Sequence, residues 1–138
     1  PRRAALMALA GPVTNLLLAC LAALLMHVGI HVGLFVATSP LSVTSLHGSL
    51  LEGFAFLVTV LLKMNILLGV FNLLPVPPLD GYSVLGLVLP ERLFLRFLEV
   101  VRNPMFSLVG ILIAMQVLPY LIQPAFIIAE RLVGLGLL

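Results

Sequence analysis

The sequence predicts an all-α, polytopic membrane protein with about three transmembrane helices and one amphipathic helix in the interface. Two observations carry that expectation. Apolar residues occupy 62% of the 138 positions and charged residues only 9%, with a mean hydropathy of +1.29. A water-soluble domain carries about 25% charged residues, so this chain cannot clothe a hydrated surface. The apolar residues also gather into three runs, each long enough for a bilayer crossing of ~20 residues. Ten-residue segments of alternating polarity, as in a barrel, are missing from the sequence. Helices then remain as the way to satisfy backbone groups within lipid.

The first run extends from Ala4 to about Met26 without a formal charge, and its helix is expected over about 4–30. The second, Leu50 to Leu74, is interrupted only by Lys63 and predicts a helix over 51–74. Between them, Ala37 to Ser49 is rich in Ser and Thr, contains Pro40 and His47, and reads as a loop. Residues Leu93, Phe94, Phe97, Leu98 and Val101 recur at three- and four-residue steps, with Arg92, Arg96 and Glu99 on another side. Pro90 and Glu91 suit a helix start, and Arg102 with Pro104 its end. A helix over about 91–102 that lies flat in the interface follows. The third run predicts a span over 105–128, kinked by Pro119 and Pro124 near Gln116.

Basic residues orient the chain. Arg2, Arg3, Arg92, Arg96 and Arg102 share one side, and only Arg131 lies on the other. The first side, which includes the Asp80 segment, is therefore expected in the cytoplasm. The net charge of +2 is too small to argue for a nucleic-acid partner, and the apolar runs make the lipid bilayer the surroundings of the chain. The lone Cys20 excludes an intrachain disulfide and a CxxC metal knuckle, and it reads as a small hydrophobe. The chain opens on Pro1-Arg2-Arg3, and no short h-region with a small-residue cleavage site follows. The 138 residues are read as a single membrane-embedded domain from a longer protein.

Two motifs carry chemistry. The stretch Asn72-Leu73-Leu74-Pro75-Val76-Pro77-Pro78-Leu79-Asp80-Gly81 sets one carboxylate behind three prolines that stop a helix. A carboxylate at mid-membrane costs about 2.5–3.5 kcal/mol on insertion scales, so Asp80 calls for a metal or a counter-charge. Gly81 lets the chain turn sharply and lets another backbone approach. The bland account is a proline-rich loop with a surface aspartate. The second motif is Gly11-Pro12-Val13-Thr14-Asn15 in the first span. Ala8 and Gly11 offer a flat face for helix contact, and Asn15 can hold a ligand, a water or a neighbouring helix.

Together these motifs resemble the site-2 protease family of intramembrane zinc metalloproteases. The matches are Gly11, Pro12 and Asn15, and the pattern N-x-x-P-x-x-x-x-D-G at Asn72, Pro75, Asp80 and Gly81. The resemblance covers about residues 1–86. It implies zinc as the cofactor, with Asp80 as one of its three protein ligands, and an unwound transmembrane protein as the substrate. It also implies that Asn72 and Pro75 shape the segment receiving the substrate strand, with Asn15 helping to hold substrate or oxyanion. Type II membrane proteins or remnants of earlier cleavage are the substrates the family suggests.

The chain departs from the family in one respect. An H-E-x-x-H helix supplies the family's other two ligands and its general base, and these 138 residues contain none. The family order puts that helix ahead of Gly11, so it is expected upstream of Pro1. No catalytic residue is therefore assigned within this chain, and the isolated 138 residues are expected to hydrolyse nothing. The pair His27 and His31 has zinc-helix spacing, but Val28 stands where the base would be. Counting ~1.5 Å per residue, the pair also falls toward the opposite interface from Asp80. Lys63, halfway along the second span, can snorkel, pair with a carboxylate elsewhere or line a substrate cavity. Asn65 is expected to bond a helix. The other class of function is a non-catalytic scaffold or a transport component with a proline-broken helix, although no inverted repeat relates the two halves.

Overall fold

The computed structural model describes residues 2–76, 79, 81–101 and 103–134, with side chains from Met7 onward. Its elements are α1 (Arg2–His31), β1 (Val36–Ser39), β2 (Ser42–Thr44), α2 (Ser49–Asn72), α3 (Gly81–Val88), α4 (Glu91–Val101) and α5 (Pro104–Val133). Helices make up 79% of the chain, so the all-α expectation stands. Three of them, Met7–His31 within α1, α2 and α5, are long and apolar enough to cross a membrane.

Helix ends follow local chemistry. α1 closes in a Schellman motif: Leu34 N–H donates to the Gly29 carbonyl at 2.8 Å and Gly33 N–H to that of Ile30 at 3.0 Å. Gly33 takes the left-handed conformation this requires, at φ 75°. Asn103 caps α5, its Oδ1 accepting from Met105 N–H at 3.1 Å, with Pro104 at the first helical position. α5 runs unbroken through Pro119 and Pro124 to Val133, five residues beyond the expected 128. Arg131 in its last turn complements the helix dipole.

Two elements differ from the sequence reading. The 37–49 loop holds a two-stranded antiparallel hairpin, with Val36 opposite Thr44 and Ala37 opposite Val43. Its sequence cue is period-two alternation. Leu41, Val43 and Ser45 are buried, while Ser42 and Thr44 are only half-buried. Ser, Thr and Pro content masked that pattern. The second is α3, an eight-residue apolar helix in a stretch for which the sequence predicts no element. It is too short to show an apolar periodicity of its own.

The chain forms two compact units. One comprises 15–67 and 123–138, the other 1–14 and 68–122. In the first, Ala19, Ala22 and Met26 of α1 pack with Phe35, Leu41 and Val43 of the hairpin and Ala55, Val58 and Leu62 of α2. Phe126, Ala129 and Val133 of α5 close around them. A Cβ on Gly29 would collide with the Phe35 ring, so the glycine seats that ring against α1. In the second unit, Phe94 of α4 is buried and its ring atoms would lie 3.0–3.3 Å from a Cβ on Gly86 of α3. α4 is amphipathic as expected, with Arg92, Arg96 and Glu99 exposed.

Candidate functional site

Residues 73–81 after α2 form the candidate site. The last turn of α2 tightens as it ends, with Leu73 N–H on the Val70 carbonyl at 3.2 Å and Leu74 N–H on that of Phe71 at 3.1 Å. Pro75 then removes the donor that would continue the ladder. Val76 N–H turns back to the Leu74 carbonyl at 2.8 Å, and Leu79 N–H to that of Val76 at 2.9 Å. Leu74 is buried and Pro75 exposed.

The chain then returns to where it left the helix. Gly81 opens α3 and is buried, and a Cβ built there would collide with the carbonyl oxygens of both Leu73 and Leu74. The loop that begins at Leu73 is thus closed at Gly81 by backbone-on-backbone contact. Only glycine permits that approach. Asp80, Pro77 and Pro78 lie outside the described residues.

Helix faces place the asparagines. Along α2 the buried residues Ala55, Val58, Leu62 and Asn65 step by three and four, and the same steps reach Gly69 and Asn72. Asn72 is half-buried on this packed face. Along α1 the same spacing links buried Ala8, Pro12, Ala19, Ala22 and Met26, with half-buried Asn15 on the stripe. Gly11 and Pro12 fall in the same compact unit as Asn72, Pro75 and Gly81, whereas Asn15 falls in the other.

Hydrogen bonding separates these asparagines further. Asn65 Nδ2 donates to the Leu61 carbonyl at 2.8 Å, within its own helix, and Asn103 caps α5. The expected bond from Asn65 to another helix is thus replaced by one to the preceding turn. For Asn15 and Asn72 no side-chain hydrogen bond is formed among the described residues.

Histidines contribute no comparable cluster. His27 Nδ1 lies 2.9 Å from the Ala23 carbonyl, which engages the ring within its own helix. No three His, Cys, Asp or Glu residues converge to hold a metal among the described residues. The described donor set does not compose a zinc centre, and Asp80, the ligand position that the family resemblance implies, lies outside it. His27→Ala combined with His31→Ala should therefore leave proteolysis of a membrane reporter within about twofold of the parent, as substitutions away from a site do. Loss of activity in that variant would move the metal assignment to this pair.

Sequence reasoning missed one polar group. Lys63 Nζ donates to Ser42 Oγ of the hairpin at 2.7 Å, a partner absent from the three options read for it. One turn earlier, Thr59 Oγ1 accepts from Val43 N–H at 3.2 Å and donates to the Val43 carbonyl at 3.5 Å. The i, i+4 spacing of Thr59 and Lys63 was a visible cue to one polar stripe on α2.

Comparison with known protein families gives a match that covers most of the chain. The sequence profile of peptidase family M50 matches residues 1–117, which takes in the Gly-Pro motif, the 72–81 segment, α4 and the first half of α5. Nothing among curated proteins or solved structures matches the chain. Members of the matched family are metallopeptidases, generally with zinc. With three apolar helices of spanning length, the chain is an integral membrane protein. A match that extends through the proline-broken end of α2 and well beyond it leaves one assignment: this chain belongs to peptidase family M50, the site-2 proteases.

Proposed function

We propose that this chain is the substrate-receiving, metal-completing part of an intramembrane zinc metalloprotease that hydrolyses peptide bonds of transmembrane proteins. The observation that supports it most is the closed loop at the end of α2. Gly81 seats on the Leu73 and Leu74 carbonyls and so fixes both ends of the segment that contains Asp80. Asp80 supplies one zinc ligand. The H-E-x-x-H helix, which these 138 residues do not contain, supplies the others and the base. Zinc, when bound, supplies Lewis-acid polarisation and an acidified water.

The chain's own residues hold the substrate. A helix hides its amides from a nucleophile, so the substrate strand must be unwound before cleavage. Asn72, half-buried and without a side-chain hydrogen bond among the described residues, and the irregular backbone from Pro75 onward offer donors and acceptors to such a strand. Asn15 assists in holding the substrate or the developing oxyanion. The Asp80 side faces the cytoplasm, in keeping with the five arginines on that side.

Asn72→Ala in the full-length protease tests this role. Its kcat/KM on a membrane reporter should fall about a hundredfold, the scale of one lost positioning or oxyanion donor. Zinc content should stay at the parental level. Asn65→Ala, which removes a bond within α2 only, should keep near-parental turnover. Equal turnover in the Asn72 and parental enzymes would remove Asn72 from the substrate site.

A further inference from the structure

The hairpin and Lys63 are not used by the proteolytic reading. Lys63 stands fourteen residues past Ser49, the first residue of α2, or about 21 Å along the helix at ~1.5 Å per residue. The hydrocarbon core is about 30 Å thick, so a span that starts at the interface carries Lys63 deep within it. Ser42, which accepts a hydrogen bond from Lys63 Nζ at 2.7 Å, lies within a lysine side chain's reach of that depth. From Phe35 to Pro40 an extended strand covers about 17 Å at ~3.3 Å per residue, and the flexible Lys63 stem spans the remaining few ångströms to Ser42. The hairpin buries Phe35, Leu41 and Val43 in one cluster with α1 and α2, as an element inserted between helices would.

We propose that the Val36–Thr44 hairpin is a re-entrant element, inserted into the bilayer from the side on which α1 ends and latched to α2 by Thr59 and Lys63. The latch resolves two costs together. An ammonium at mid-span needs a polar partner, and Ser42 provides it. Strand backbone at membrane depth is tolerated only where its groups are satisfied, and Thr59 answers both the N–H and the carbonyl of Val43. Each element therefore satisfies the other's polar groups, and disengaging the hairpin would leave both in hydrocarbon. Release of the hairpin is governed by the Lys63–Ser42 bond.

Cysteine accessibility tests this in the full-length protein, in sealed vesicles and a Cys20→Ser background. Pro40→Cys at the hairpin tip should react with an impermeant maleimide much more slowly than Leu46→Cys, a loop position that is 83% exposed. Adding Ser42→Ala should speed Pro40→Cys labelling roughly tenfold or more, the factor expected for losing one hydrogen bond to a charged group. Leu46→Cys labelling should not change, which reports that the fold persists. Lys63→Met, an apolar replacement that is no burden on span insertion, should act in the same direction as Ser42→Ala. Pro40→Cys labelled as fast as Leu46→Cys in the intact latch would overturn re-entry. Protection of Pro40→Cys that survives both latch variants would overturn the role of Lys63.

Discussion

Asp80→Ala in the full-length protease is expected to reduce cleavage of a membrane reporter below about one per cent of the parent, with insertion and abundance unchanged. The reason is completeness of the metal shell. Zinc sites of this kind use three protein ligands and leave the fourth position for water. The loss of one ligand weakens the metal and disturbs the geometry of what remains. Orienting partners alone are worth ten- to a hundredfold in affinity or activity, so a ligand is worth more. Zinc content of the purified variant separates the two routes to failure. Low zinc with normal folding supports ligation by Asp80. Full activity at matched expression would end the reading of Asp80 as a ligand.

Gly81→Ala should be nearly as damaging, by a different physical route. The added methyl would collide with the carbonyls of Leu73 and Leu74, and these are backbone atoms that cannot rotate aside. Either α3 or the end of α2 must shift, and Asp80 is the preceding residue in the chain. A displacement of ~1 Å near the chemistry can cost about a hundredfold in rate, so activity should fall at least that far. Two glycines serve as controls. A Cβ on Gly53 meets nothing within 4 Å, so Gly53→Ala should be silent. The nearest atoms to a Cβ on Gly86 are those of the Phe94 ring, at 3.0–3.3 Å, and a side chain can yield, so Gly86→Ala should be mild. Reporter cleavage across the three variants, at matched expression, gives the ranking. A Gly81→Ala enzyme as active as the Gly53→Ala enzyme would show that the loop closure does not position Asp80.

Sequence by itself determined the solvent, the fold class and the approximate spans, because each follows from counts along the chain. A run of ~20 apolar residues must cross or be buried, whatever its neighbours do. The three expected spans accordingly correspond to α1, α2 and α5, and the amphipathic spacing of 91–102 corresponds to α4. The 72–81 motif was legible for the same reason, since prolines stop a helix locally and glycine permits a turn locally. What the sequence could not show was which distant groups meet. The partner of Lys63 is Ser42, twenty-one residues earlier in the chain, and one-dimensional spacing carries no signal for it. The hairpin was misread because its Ser and Thr hydroxyls resemble loop chemistry until α2 and Met26 are seen to bury its other face. Gly81 shows the division within one residue. Its identity announced a close approach, but only the fold named the Leu73 and Leu74 carbonyls as the groups it meets. Tertiary structure decides such matters because burial and hydrogen-bond satisfaction belong to pairs of elements, and the pairing is settled only when they pack.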